Sequence, residues 1–334
     1  MRWDVFCRVI DNLGDIGVCW RLAADLGARG ESVRLWVDDA SALRWMAPDG
    51  APGVEVGEFD AAADAGVVPG EVVVEAFGCD PPAAFVDRMA APTAPPPVWV
   101  NLEYLSAESW VERSHGLPSP QRNGLVKWFF FPGFTGATGG LLREPGLLER
   151  RAAFERPPGP RRATVFCYDT PWLPRLAEAV GGELWLCPGL PQAAAAAYPG
   201  LPARALPWVD QAGFDRWLWS SDLNVVRGED SLVRAIWAGA PFVWHIYPQH
   251  DGVHRDKLDA LLDRLRPDAD VRALWHAWNG FGPWPARWPD EAAWGEATRA
   301  WRAELASRPD LVTQLSAFVL GKTLESRALR GESL

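Results

Sequence analysis

Apolar residues along this chain fall into short runs separated by glycine-bearing turns and amphipathic stretches, and the order of these runs repeats. Trp3 to Ile10 has strand character, Asp11-Asn12-Leu13-Gly14-Asp15-Ile16-Gly17 is a turn, and Val18 to Ala28 sets Cys19, Leu22, Ala23 and Leu26 on one helical face. Ser32 to Val37 is the next strand. Strand, glycine turn, helix, strand is the opening of a doubly wound fold, in which ligands bind outside the carboxyl ends of the strands. Further strands are expected over Val54 to Phe59, Val72 to Phe77 and Val98 to Tyr104, and the aromatic run Lys127 to Phe134 reads as core.

Arg150 to Arg162 breaks the rhythm. It is rich in Pro, Gly and Arg, lacks periodicity and reads as a linker. Ala163 to Tyr168 then opens a second series, continued by Glu183 to Cys187, Leu206-Pro207-Trp208 and a helix from Phe214 to Ser220. The clearest unit follows. Leu223, Val225 and Val226 end a strand, Gly228 lies in the turn, a helix begins near Asp230 or Ser231, Gly239 can take a left-handed cap, and Pro241 forbids continuation. Pro241 to Ile246 is the next strand. Such a turn directs backbone N–H groups and a positive helix end at an anion, and a diphosphate fits it. Glu229 is placed to take sugar hydroxyls, and Ser231 adds a donor. The plainer alternative is that Asp230 and Ser231 merely cap a helix. The tryptophans Trp275, Trp278, Trp284, Trp288, Trp294 and Trp301 read as packing the surface of this half, and Leu311 to Leu329 reads as a final helix.

A length of 334 residues adds the expectation of two domains, and the hydrophobic share of 48% is that of a globular protein. The net charge of −10 and the three lysines, Lys127, Lys257 and Lys322, argue against nucleic acid as a partner. No apolar run reaches membrane-spanning length, and the chain opens on a strand-like segment rather than a signal sequence, so a cytoplasmic location without membrane association is expected. The five cysteines, Cys7, Cys19, Cys79, Cys167 and Cys187, are scattered in apolar runs and are expected to be reduced and buried, with no disulfide frame or zinc site. The only Asp-x-Asp, Asp268-Ala269-Asp270, lies away from the phosphate turn, and the five histidines form no ligand cluster, so no metal is expected.

Candidate chemistry at the first turn rests on Asp11 and Asp15. Two carboxylates four apart beside a strand end serve as a general base or hold a cation. The alternative is that Asp15 caps the helix and Asp11 makes an Asx-turn. The first turn lacks G-x-G-x-x-G, so a dinucleotide fingerprint is absent.

The segments Arg2 to Leu22, Asn101 to Ser106, Lys127 to Leu142, Asp222 to Ser231 and Phe242 to Gln249 together resemble the EarP family, bacterial protein-arginine rhamnosyltransferases that modify elongation factor P. The resemblance spans nearly the whole chain. It implies an α/β fold of the GT-B class, with two Rossmann-like domains facing a central cleft. Residues 1–155 would form the acceptor-binding domain, 156–314 the nucleotide-sugar donor domain, and 315–334 a helix returning to the first. It implies inverting transfer of L-rhamnose from dTDP-β-L-rhamnose to an arginine of elongation factor P, without a metal or other cofactor. Asp11, Asp15 and Glu229 match the family's catalytic carboxylates, with Asp15 as general base and Asp11 fixing the guanidinium. Phe166, Tyr168, Trp208, Gln211, Phe214, Glu229, Asp230 and Ser231 fall at its donor site, Trp208 standing where a phenylalanine is usual. The competing reading is a non-catalytic or small-acceptor GT-B protein that binds a nucleotide sugar.

Overall fold

The computed structural model describes residues 1–10, 13–92, 95–248 and 252–331. Two compact units emerge, Met1–Pro145 with Arg308–Leu334, and Gly146–Ser307. These divisions lie at 145/146 and 307/308, where the sequence had suggested 155/156 and 314/315. The expected linker is partly helical and belongs to the second unit.

The first unit contains β1 (Arg2–Cys7), α1 (Gly14–Ala28), β2 (Ser32–Val37), α2 (Leu43–Met46), β3 (Val54–Glu58), a 3-10 turn (Phe59–Ala63), β4 (Val72–Ala76), α3 (Ala83–Met89), β5 (Val98–Leu102), α4 (Ser109–Ser114), β6 (Pro118–Pro120) and β7 (Val126–Phe130). The sheet runs β3-β2-β1-β4-β5-β7-β6, parallel throughout except for the β6–β7 pair. Because side chains alternate along a strand, each central strand serves two cores. Trp3, Val5 and Cys7 pack with Ile16, Leu22 and Leu26 of α1, whereas Phe6 packs with Trp36, Phe59 and Phe85 on the opposite face. Asp4, wholly buried on that second face, accepts from Arg34 at 2.7 and 2.8 Å, from the Trp36 indole at 2.8 Å and from the Gly70 N–H at 2.6 Å, which makes it a structural carboxylate.

The second unit contains α5 (Leu147–Ala153), β8 (Arg162–Val165), α6 (Leu173–Val180), β9 (Glu183–Leu186), α7 (Leu190–Ala195), β10 (Ala203–Ala205), α8 (Gln211–Ser220), β11 (Leu223–Arg227), α9 (Gly228–Ala238), β12 (Phe242–His245), α10 (Val253–Leu265), α11 (Ala269–Trp278) and α12 (Glu291–Ala306). Its sheet is parallel, in the order β10-β9-β8-β11-β12. Leu206 to Trp208, read as part of the strand series, follows the edge strand β10 as a loop. Trp275, Trp278, Trp294 and Trp301 are buried rather than superficial, and the Trp275 indole donates to the Phe242 carbonyl at 3.0 Å. Between α8 and α9, Arg234 and Asp215 form a buried ion pair, with Nε to Oδ1 at 2.8 Å.

The chain then returns. α13 (Leu311–Leu329) sinks Leu311, Val312, Leu315 and Val319 into the core against α1 and β5. Asp310 caps its first turn by accepting from the Thr313 N–H at 2.9 Å, and Arg29 of the first unit binds the same carboxylate at 2.7 Å. No helix among the described residues is long and apolar enough to cross a membrane. The five cysteines are free thiols, all buried except the half-buried Cys79.

Candidate active site

At the carboxyl end of the first sheet, β1 leads into the turn that carries the expected aspartates. Asp11 lies outside the described residues. Asp15 lies in the first turn of α1, is 5% exposed, and accepts the Ile10 N–H through Oδ2 at 2.8 Å. It is therefore not the helix cap: Leu13 holds that position, without a side-chain hydrogen bond. The carboxylate instead reaches back to the segment after β1 and fixes itself there, at the N-terminal end of α1. Two strands away, β5 is followed directly by Glu103 and Tyr104. Cys79 and Cys19 nearby are not poised as nucleophiles. Burial pushes Cys79 up to about 12, and a side-chain hydrogen bond with Cys7, reinforced by burial, raises Cys19 well above its ordinary value.

At the carboxyl end of the second sheet, β11 passes directly into α9. Gly228 takes φ +71°, a left-handed conformation that costs a side-chain-bearing residue energy, and the helix starts there with Arg227 as its cap residue. The helix thus begins before Asp230 and Ser231, which lie inside the first turn and do not cap it. Ser231 is buried, while Glu229 and Asp230 are partly exposed. Glu229 Oε1 accepts from Lys257 Nζ at 3.0 Å, so a cation from α10 stands beside the anion-facing turn. At the other end of α9, Gly239 supplies the left-handed cap that the sequence suggests, with φ +74°.

The aromatic residues expected at the donor site gather around an arginine. Arg227 lies 4.9 Å from the Phe166 ring centre and 4.6 Å from that of Tyr168, and Phe214 of α8 meets Phe166 edge-on at 5.6 Å. Phe166 is tied to the sheet through its N–H on the Val225 carbonyl at 2.8 Å. Gln211 opens α8, and Trp208 in the preceding loop is 50% exposed. Tyr168 also meets His245 at 5.1 Å and Tyr247 at 5.6 Å. His245 is buried at the end of β12, beside Arg227 in register. Burial and then the Arg227 charge push its pKa down to about 3, so it is a neutral imidazole.

The structure therefore brings Phe166, Tyr168, Phe214 and Arg227 into one cluster and sets Glu229, Asp230 and Ser231 on the turn that follows it. Sequence reasoning passed over Arg227, Lys257, His245 and Tyr247. Arg227 had one legible signal, since a cation at a strand end just before a phosphate-type turn complements an anion. Lys257 had another, as one of only three lysines in the chain. Among the described residues no group of three or more His, Cys, Asp or Glu side chains is arranged to hold a metal ion.

A family profile described as elongation factor P rhamnosyltransferase EarP matches residues 3–320. The chain belongs to the EarP family. It is similar to the protein-arginine rhamnosyltransferase of Pseudomonas putida, with 44% identity over 95% of this chain and 98% of that protein. The enzyme of the same name from Pseudomonas aeruginosa is 40% identical over 95% and 98%. A solved structure described as the structural basis for EarP-mediated arginine glycosylation of translation elongation factor EF-P superposes with a TM-score of 0.65 at 31% identity, covering 96% of this chain and 99% of that one. The calicheamicin glycosyltransferase CalG4, at 14% identity and a TM-score of 0.52 over 96% and 98%, shares the fold alone. This EarP family member is thus a glycosyltransferase, α/β in class, with the two parallel sheets of the GT-B fold.

Proposed function

We propose that the chain transfers L-rhamnose from dTDP-β-L-rhamnose to an arginine side chain of elongation factor P, with inversion at the anomeric carbon and without a metal ion. The observation that carries this reading is the family match over residues 3–320, which takes in both carboxyl-end constellations. The chemistry agrees with it. A guanidinium is a weak nucleophile because its lone pairs are delocalised, and it arrives charged. Asp11 orients it, and Asp15, already anchored by Ile10, accepts a proton from the attacking nitrogen as the new C–N bond forms. The bond from the anomeric carbon to the diphosphate oxygen breaks in the same displacement, which gives inversion.

The departing diphosphate keeps the electron pair. Its charge falls to the N–H groups from Gly228 to Ser231, the helix dipole of α9 and the guanidinium of Arg227. Phe166, Tyr168, Phe214, Gln211 and Trp208 hold the nucleoside, Trp208 and the phenyl rings by stacking. Glu229, oriented by Lys257, takes sugar hydroxyls. The first unit is on this reading the acceptor domain and the second the donor domain of a cytoplasmic enzyme.

The deciding experiment incubates the purified chain with dTDP-rhamnose and elongation factor P in excess EDTA. Addition of one deoxyhexose mass to the acceptor, lost when the target arginine is replaced by lysine, is the expected result. Transfer to a small acceptor but to no protein overturns the acceptor, and restoration of a lost activity by Mg²⁺ overturns the metal-free chemistry.

A further inference from the structure

The end of α9 remote from Gly228 gathers more positive charge than a helix end needs. Gly239 closes the helix, and guanidiniums from two other helices meet there. Arg151 of α5 donates through Nε to the Ala238 carbonyl at 3.0 Å, and Arg302 of α12 donates through Nη1 to the Trp237 and Ala238 carbonyls, each at 3.4 Å. They share one acceptor oxygen, so the two cations stand side by side. The Arg302 guanidinium lies over Gly239, where a Cβ would come within 2.5 Å of its Nη1. A Cβ on Gly295 would likewise meet Arg299 Nη1 at 2.9 Å and the Pro241 ring at 3.7 Å, which places a third guanidinium beside the same cap. Two glycines thus leave the room that two of the guanidiniums occupy.

A helix carboxyl end carries about half a negative charge, so three arginines leave roughly two and a half positive charges uncompensated. One arginine would have capped the helix. No carboxylate among the described residues forms an ion pair with Arg151, Arg299 or Arg302, although acidic residues outnumber basic ones in the chain by 43 to 33. Burial, and then the charge of Arg302, hold the Arg151 guanidinium below its ordinary pKa, and burial followed by the charge of Arg299 does the same to Arg302. Arg151 and Arg302 are half-buried and Arg299 is exposed, so solvent reaches the cluster. Among the described residues both terminal nitrogens of Arg151, and Nε and Nη2 of Arg302, keep donors without an acceptor.

We propose that Arg151, Arg299 and Arg302 form a binding site for a phosphate dianion, free or as the end group of a small phosphomonoester. Phosphate brings about −1.5 to −2 charges and several acceptor oxygens, which match the surplus charge and the forked donors of the guanidiniums. Chloride supplies one charge and no paired acceptors. The site lies at the amino end of the second sheet, where α9 closes and β12 begins, and the length of α9 sets it about 16 Å from the turn at Gly228. It is therefore distinct from the donor site and independent of what that site binds. A bound phosphate removes the repulsion between α5 and α12, so the stability of the second unit follows the phosphate concentration.

Titration of the full chain with inorganic phosphate tests it, read by calorimetry and by the thermal unfolding midpoint, with excess dTDP filling the turn at Gly228 and chloride holding the ionic strength constant. The parent should bind phosphate and unfold at a higher temperature as phosphate rises. Arg299→Gln and Arg302→Gln are each expected to weaken phosphate binding about tenfold while dTDP affinity stays within about twofold. Arg175→Gln, on an exposed arginine of α6 in the same unit, removes the same charge and should leave phosphate binding unchanged. In phosphate-free chloride, Arg299→Gln should unfold no earlier than the parent, because it relieves repulsion on an exposed side chain; a folding defect in Arg302→Gln therefore leaves Arg299→Gln decisive. Glycerol 2-phosphate serves as the second probe: binding equal to phosphate assigns the site to monoesters, and binding of phosphate alone assigns it to the free ion, either of which upholds the site. Phosphate that moves the parent's midpoint no more than chloride does, equal phosphate affinity in the parent and both site variants, or an equal loss in Arg175→Gln overturns it.

Discussion

The carboxyl ends of the two sheets are built from the same topology and carry opposite chemistry. In the first unit, the strand ends present carboxylates, Asp15 pinned by a backbone N–H and Glu103 pinned by Asn101, with the aromatic plate of Tyr104 beside them. In the second, the strand ends present cations and backbone donors, Arg227 among aromatic rings, Lys257 on Glu229, and the N-terminal turn of α9. One end suits a cation and the other an anion. A parallel sheet fixes where a ligand sits, and the few residues just past each strand fix its sign.

The largest expected effect tests the acidic end. Asp15→Asn keeps size and the bond to Ile10 in altered form but cannot accept the proton, so kcat should fall about 10³- to 10⁴-fold with circular dichroism unchanged. Asp11→Asn is expected to behave alike. Near-parental turnover in either variant removes it from the chemistry. Next comes the framework of the basic end. Arg234→Met removes the guanidinium paired with buried Asp215 and should destabilise the protein by about 3–5 kcal/mol, seen as a lower unfolding midpoint in urea. A midpoint equal to the parent's would show that the pair with Arg234 does not hold this framework together.

A smaller effect separates the two ends functionally. Glu229→Ala should weaken dTDP-rhamnose binding about ten- to a hundredfold in calorimetry while leaving affinity for the acceptor protein untouched. Equal losses for both substrates would contradict the division of labour. The smallest effect is a pH dependence. His245 is neutral in the folded protein because its pKa is pushed down to about 3, whereas the unfolded chain takes up a proton near the ordinary value of 6.5. Stability from this group is complete above pH 6.5 and is lost as pH falls toward 3, at about 1.4 kcal/mol per pH unit. In His245→Gln that slope should disappear, so the stability difference between parent and variant shrinks as the solution is acidified. Parallel pH profiles would mean that His245 is protonated in the fold.

Much of this arrangement could be read before any coordinates. β2 and α13 occupy the residues expected of them, because an apolar run bounded by turn residues and a long 3.6-residue period are the strongest local signals. Where the reading slipped, a nonlocal cause is visible. The start of α9 was placed too late because Asp230 and Ser231 resemble caps, and nothing local reveals that Gly228 turns left-handed to begin the helix earlier. The edge strand β10 was missed in favour of Leu206 to Trp208, since Ala203-Arg204-Ala205 pairs on one side only and needs little apolar character. The tryptophans of α11 and α12 were taken for surface residues because their helices interleave indoles with charges. Arg227 escaped notice as a site residue because its aromatic partners lie far away in sequence and meet it only through the β8–β11 pairing. The stacking of Tyr104 on Phe77 likewise joins residues that follow two different strands, β5 and β4.

The return of α13 has a bearing on how the protein comes into being. Leu311, Val312, Leu315 and Val319 cover the first sheet beside α1 and β5, yet they are synthesised only after the entire second unit. At about 5–20 residues per second, translation of residues 146–310 keeps that face waiting for roughly ten to thirty seconds. Throughout that interval the apolar strip on α1 and β5 lacks the helix that covers it in the finished protein. The second unit, continuous in sequence, completes its own core first. The domain begun earliest is therefore the one whose chain is finished last, and its exposed face is one that the mature protein conceals.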